Sequence, residues 1–242
     1  HNCKNKMPEL MVEIFLIYAS MGEGDSMKIF AISDIHGEMK YFDAAAGLIR
    51  EADLVVISGD IAKHGDVRSA REALSLVEGI TDAIVAVHGN WDRDEVLRLL
   101  EERGYSVHGR GIVRNGIGFF GVGGSSQTPM NTASEYSEEE ITGFLESGYR
   151  DVAGAGRVVL VSHVPPRRVR DRTFLGLRGG SRAVKEFIEK KPVDLCLTGH
   201  IHEAFGSENA SGCVVVNSGS FKKGRYSLIE IGTAVRVDPG KL

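Results

Sequence analysis

The chain has 242 residues, enough for one large α/β domain with a deep core. Its hydrophobic content of 42%, charged content of 26% and net charge of −4 are those of an ordinary globular protein. They exclude bulk electrostatic attraction to nucleic acid or to an anionic membrane, so no membrane partner is expected and a nucleic-acid substrate is disfavoured.

Residues 1–26 read as an extension, either an added edge strand or a segment that faces a partner. Leu10 to Ala19 is apolar but too short to span a bilayer, and Glu13 interrupts it. The main domain is expected over 27–242, beginning with Lys28–Ser33, a continuous apolar run that reads as a strand buried on both faces. Apolar residues at helical spacing (Met39, Phe42, Ala46, Ile49) predict a helix over Glu38–Glu51. The strand Leu54–Ser58, the helix Val67–Val77 and the strand Ala83–Val87 follow, and Asp92 opens a further helix to Arg103.

In the middle, Gly111–Val113 and Ile117–Gly121 flank Asn115-Gly116, the strongest short hairpin signal. A loop rich in Gly, Ser, Thr and Pro runs from Gly123 to Ser134, and Ser137 with Glu140 caps another helix. Strand Val158–Val161, helix Ser181–Lys190 and strand Leu195–Thr198 come next. Val214–Val216, Arg225–Ile231 and Ala234–Val237 read as closing hairpin-like strands. Parallel βα units are thus expected first and antiparallel strands later, in one domain. The three cysteines, Cys3, Cys196 and Cys213, lack metal or redox spacing. Cys196 and Cys213 read as buried thiols in a reducing compartment, and a cytoplasmic location is expected.

Seven ligand-type side chains sit just past the ends of apolar β-runs, in five segments. They are Asp34 and His36 in SDIHGE, Asp60 in VVISGD, Asn90 in VAVHGN, His163 in VVLVSH, and His200 and His202 in LTGHIH. The carboxyl ends of neighbouring strands open onto one crevice, so these segments are expected to converge. Alternate-residue spacing in Asp34-x-His36 and His200-x-His202 puts both side chains of each pair on one side. A carboxylate bridges two cations readily, which suits Asp60, and imidazole with amide oxygen suits Mn, Fe or Zn. Glycines before Asp60, Asn90 and His200 relieve crowding at the centre.

The series DIHG, GD, GNWD, SH and GHIH resembles the calcineurin-like metallophosphoesterase superfamily in order and spacing, over nearly all of the chain from Met27 onward. GVGGSS, SHVPP, the GSRAVKEFI helix and VVVNSGS resemble more narrowly a prokaryotic and archaeal subgroup of predicted phosphoesterases. The resemblance implies a four-layer αββα sandwich, two mixed sheets flanked by helices. It implies two divalent ions (Mn, Fe, Zn or Ni, with Mn favoured), one held by Asp34, His36, Asp60 and His202 and the other by Asp60, Asn90, His163 and His200. The implied activity is phosphoester hydrolysis by a hydroxide bridging the metals, with Asp60 and Asn90 central to it. Phosphodiesters, a cyclic nucleotide among them, are the expected small substrates. The alternatives are a nuclease acting on DNA or RNA ends and a non-enzymatic scaffold that keeps the fold. Self-association as a homo-oligomer is left open.

One departure from the family pattern stands out. Many relatives carry a histidine after the Asn of this motif to protonate the leaving group, and here that position is Trp91. Indole cannot carry a proton in that role. His64 is the candidate replacement acid, and Asp92, which in relatives orients the missing histidine, is expected to be only a helix cap. Trp91 reads as a packing residue or as a platform for base stacking. Arg167, Arg168, Arg170, Arg172, Arg178 and Arg182 read as a solvated loop or as a grip on phosphate, with Arg167 and Arg168 nearest the ligand His163. His88 and His108 fit no ligand pattern and are expected to be structural.

Overall fold

A computed structural model describes residues 26–242, so the expectation for the N-terminal extension lies outside the described residues. Two mixed sheets lie face to face with helices on both outer sides, the four-layer sandwich. The first sheet has the order β13-β12-β1-β2-β3, from β1 (Met27–Ile32), β2 (Leu54–Ser58), β3 (Ile84–Val87), β12 (Arg225–Ile231) and β13 (Val235–Lys241). The second has the order β10-β11-β9-β8-β5-β4, from β4 (Gly111–Arg114), β5 (Ile117–Val122), β8 (Arg157–Ser162), β9 (Leu195–Thr198), β10 (Gly206–Ala210) and β11 (Cys213–Asn217). Two short strands, β6 (Ser125–Ser126) and β7 (Glu135–Tyr136), pair beside it.

The period of two along each strand builds three cores from one set of residues. Ile29 and Ala31 of β1 face inward to meet Val159 and Val161 of β8 and Leu195 and Leu197 of β9 between the sheets. Phe30 and Ile32 point outward, under α1 (Phe42–Glu51), α2 (Val67–Glu78) and α3 (Asp94–Glu102). On the opposite side Phe120, Leu160 and Cys196 pack beneath α4 (Glu138–Arg150) and α5 (Arg182–Lys190). Because both faces are covered, the central strands need no polar residues, which is why they are unbroken apolar runs.

Turn chemistry agrees with position. Asn115 and Gly116 both have positive φ, joining β4 to β5 as a tight hairpin. Ser137 and Glu140 form a reciprocal capping box at the start of α4, and Ser181 caps α5. Three readings need correction. The first helix begins at Phe42 rather than Glu38, because Glu38–Tyr41 are spent in turns that follow the His36–Gly37 reversal. The third helix begins at Asp94, with Arg93 at its N-cap and no capping bond from Asp92. β11 does form a hairpin, pairing antiparallel with β10 across the Ser211-Gly212 turn, and its other edge pairs parallel to β9, while β12 crosses to the first sheet and runs antiparallel to β1. The polar edge strand β10 and the small β6–β7 pair have no apolar alternation to announce them. Among the described residues no helix is long and apolar enough to cross a membrane.

Candidate metal centre

β1, β2, β3, β8 and β9 all end at the same edge of the sandwich, and the segment after each supplies one or two polar side chains. The first two segments are zipped together by backbone bonds. Asp34 N–H donates to Gly59 O (2.9 Å), His36 N–H to Asp60 O (2.9 Å) and Gly37 N–H to Ile61 O (3.0 Å). Asp34, His36, Asp60 and His200 have left-handed backbones, with φ from 48° to 65°. Such conformations cost a non-glycine residue on the order of 1 kcal/mol each and persist only where the surroundings impose them. The approach is as close as backbone allows. A Cβ on Gly59, Gly89 or Gly199 would collide with His163 Nδ1, Asp60 Oδ1 and Asp34 Oδ2 respectively.

Asp34, Asp60, Asn90 and His163 are buried, whereas His36, His200 and His202 are partly open to solvent. Asp60 sits centrally, with its Oδ2 3.6 Å from both His36 Nε2 and His163 Nε2. On one side, Asp34 Oδ1 lies 3.0 Å from His202 Nε2 and 4.0 Å from His36 Nε2. On the other, Asn90 Oδ1 lies 2.9 Å from both His163 Nε2 and His200 Nδ1. Ligand atoms of Asp34, His36 and His202 form one group within 4.8 Å of one another, and those of Asp34, Asp60 and His163 form a second. Asp34 therefore belongs to both groups, and Asp60 stands between the two pairs of histidines.

The donor set fits cations. His163 Nδ1 meets the carbonyl of Ser58 at 2.7 Å, and a carbonyl only accepts, so the ring proton is there. Burial lowers the pKa of His163, so its ring stays neutral and its Nε2 is a lone pair. That lone pair faces an amide oxygen and a carboxylate, three electron-rich atoms that repel unless positive charge lies among them. Burial likewise takes His36 down to about 4 and His200 down to about 3, leaving both free to ligate. Burial and the nearby carboxylates of Asp92 and Asp34 push Asp60 up, the direction that an adjacent divalent ion reverses. Burial opposes ionisation of Asp34 too, but the hydrogen bond and charge of His202 outweigh it and bring that carboxyl to about 2.

Supporting residues hold these side chains in place. Asp92, fully buried, accepts from the backbone N–H of Ile61 (3.0 Å), Ala62 (2.8 Å) and Gly89 (2.8 Å). It is thus a strap between the Asp60 and Asn90 segments, not a helix cap. Asn217 donates through Nδ2 to Gly199 O and Ile201 O (3.0 Å each), bracing the loop that carries His200 and His202. Arg225 donates to His202 O at 2.8 Å. Only the Asn in VVVNSGS, polar at the end of an apolar strand, signals this role in the sequence.

Two clefts flank the centre. The larger, of about 600 Å³, is lined by His36, His202, His64, Trp91, Lys63, Lys222 and Lys223 among others. Lys222 and Lys223 reach it on a short turn over the end of β1, where Phe221 N–H donates to Ser33 O and Lys222 N–H to Asp34 O. These lysines have no counterpart among the sequence-derived candidates. The second cleft, about 440 Å³, is lined by His200, Arg167, Arg178 and Arg182 with the Ser126–Pro129 segment. Arg168 lines neither cleft; its backbone N–H donates to the buried Asp171. His88 is buried with Nε2 3.1 Å from the Tyr136 hydroxyl, and His108 Nδ1 accepts from Gly123 N–H, both within an aromatic cluster.

Residues 27–238 match the calcineurin-like phosphoesterase superfamily domain, and the chain belongs to that superfamily, whose members hydrolyse phosphate esters and generally depend on two metals. It is similar to the uncharacterised protein MJ1162 of Methanocaldococcus jannaschii, at 32% identity over 196 residues that cover 79% of this chain and 87% of the relative. Among solved structures it is similar to TT1561 of Thermus thermophilus, with a TM-score of 0.70 and 19% identity over 90% of this chain and 99% of that one. A dimetal phosphatase from Danio rerio aligns with a TM-score of 0.52 and 14% identity, covering 87% and 98%. At these identities the two structures show a common fold.

Proposed function

We propose that the protein is a two-metal phosphodiesterase that hydrolyses small phosphodiesters, cyclic nucleotides among them. The single observation that carries this reading is the place of Asp60, one carboxylate oxygen equidistant at 3.6 Å from a histidine of each half-site. Asp34, His36, Asp60 and His202 would hold one ion, and Asp60, Asn90, His163 and His200 the other, with manganese favoured by the mixed N/O donors. Bound divalent cations supply an acidified water as nucleophile and neutralise charge growing on the phosphoryl oxygens.

The chain's own residues do the rest. Lys63, Lys222 and Lys223 give the cleft a positive rim in a protein of net charge −4, which draws in and orients a phosphate. Trp91, 38% exposed beside that rim, offers a flat face to a base or another aromatic leaving group. Its backbone N–H donates to Asp60 Oδ1 at 2.9 Å, so the main chain at this position orients the Asp60 carboxylate whatever the side chain. Indole donates no proton to a leaving oxygen, and His64 in the same cleft takes that task. Strained or activated diesters, which need little protonation, are therefore the favoured substrates. The buried free thiols Cys196 and Cys213 support a reducing, cytoplasmic setting.

The test is a metal-reconstituted screen of monoesters, linear diesters and cyclic nucleotides, with Asp60→Asn as the blank. Faster turnover of diesters than of monoesters is expected, and none above background in the blank. Preference for monoesters over every diester overturns the assignment of substrate class.

A further inference from the structure

The segment between His163 and α5 makes an ordered finger. At its base the buried Asp171 accepts from Arg168 N–H (2.8 Å) and Gly180 N–H (3.3 Å) and pairs with the Arg178 guanidinium at 2.7 Å. At its tip Thr173 N–H donates to Leu177 O (2.9 Å), Leu177 N–H to Thr173 Oγ1 (3.1 Å) and Gly176 N–H to Thr173 O (2.9 Å). This closed turn holds Phe174, Leu175 and Leu177 out in solvent, at 86%, 79% and 66% exposure. Single exposed apolar side chains are common, but three large ones on one rigid turn mark an interaction site.

The charge along the finger identifies what it meets. Residues 167–182 carry six arginines against one aspartate, the reverse of the net charge of −4 of the whole chain. Arg178 is used on Asp171, and Arg170 on Glu208 and the carbonyls of Phe205 and Ser207. Arg167, Arg168, Arg172 and Arg182 are exposed and make no ion pair with the described residues. The Arg172 guanidinium lies against the tip, within 4 Å of where a Cβ on Gly176 would be.

We propose that this finger docks the protein peripherally on an anionic lipid bilayer, with Phe174, Leu175 and Leu177 entering the headgroup region and the exposed arginines of the finger, Arg172 foremost, meeting lipid phosphates. A convex apolar point on a basic finger suits a deformable anionic surface. A second copy is a poor occupant, because tip-to-tip association brings two unpaired Arg172 guanidinium groups and two basic fingers together. Docking gives the negative net charge a qualified meaning: the molecule as a whole is repelled, and one face is attracted. It also turns the cleft lined by Arg167, Arg178, Arg182 and His200, at the finger's base, toward the membrane.

Vesicle co-sedimentation tests this, with phosphatidylcholine vesicles and with vesicles in which part of the phosphatidylcholine is replaced by phosphatidylglycerol. The full chain is expected to pellet with the anionic vesicles, to be released by added salt, and to ignore the neutral ones. Phe174→Ser combined with Leu175→Ser, both solvent-facing, is expected to lower binding at least about tenfold. Arg172→Glu is expected to lower it by a further factor of roughly five or more, with turnover of a soluble diester unchanged in both variants. Wild-type protein that stays in the supernatant at low salt overturns the proposal. So does a double-serine variant that pellets like wild type, or sedimentation equilibrium showing a dimer that the serines dissolve.

Discussion

The Asn90 amide nitrogen donates to Thr132 Oγ1 at 2.9 Å, and that one bond turns its oxygen toward His163 and His200. An amide without it is free to flip and offer a donor where an electron pair is needed. Thr132→Val keeps the side-chain volume and removes the acceptor. Its expected effect is a loss of about 10–100-fold in affinity for the metal on that side, measured by competition against a fluorescent chelator. An unchanged affinity shows that packing alone orients Asn90.

Asp92 is the second supporting residue to test. Three backbone N–H groups from two different loops end on its buried carboxylate. Asp92→Ala strands all three, and a loss of about 3 kcal/mol or more in unfolding free energy is expected, with Asp92→Asn in between. Chemical denaturation at constant temperature measures it. A helix-capping role predicts a loss nearer ~1 kcal/mol.

Thr132 itself is held by Glu135, whose Oε1 accepts from the Thr132 N–H (2.7 Å) and hydroxyl (2.6 Å) and whose Oε2 accepts from Thr128 N–H (2.9 Å). Partial burial works against the charge, but these bonds together outweigh it and hold the carboxyl down at about 2 against an ordinary 4.5. A folded-state pKa below the unfolded one stabilises above the unfolded value and stops doing so as pH falls toward the folded one. Wild type is therefore expected to melt higher than Glu135→Gln above pH 4.5, with the gap closing toward pH 2. A gap independent of pH assigns the effect to shape rather than charge.

Trp91 and His64 bear on leaving-group protonation. Trp91→His keeps the backbone bond to Asp60 and restores a proton donor at that position. A gain of at least about tenfold is expected on diesters with unactivated alcohols, and little change on p-nitrophenyl esters, since general acid catalysis helps poor leaving groups most. His64→Ala is expected to lose about 10–100-fold on the unactivated esters alone. Steady-state rates across a leaving-group series read both effects.

These residues also separate what local sequence carries from what it does not. The strands β1, β2, β8 and β9 are legible because burial on both faces demands unbroken apolar runs, and the polar residue that ends each run is conspicuous. The reversal at Asn115-Gly116 and the Ser137–Glu140 box are legible because their partners are near in sequence. Asp92 is misread because it lies two residues before a helix while two of its three backbone partners, Ile61 and Ala62, are 31 and 30 positions away. Lys222 and Lys223 look like any solvated pair until the turn after β11 is seen to cross the end of β1. The Thr128–Glu135 network is invisible in a polar loop, since nothing in its composition says which hydroxyl meets which carboxylate. Strand-end chemistry is a local signal; bracing across loops is not.

Calorimetric titration of the metal-free protein with manganese, beside Asp60→Asn, tests the central arrangement most directly. One carboxylate shared by two half-sites predicts two ions bound per wild-type chain and weakened binding of both in the variant. A single ion per chain, or a variant that loses one ion and binds the other undiminished, contradicts it.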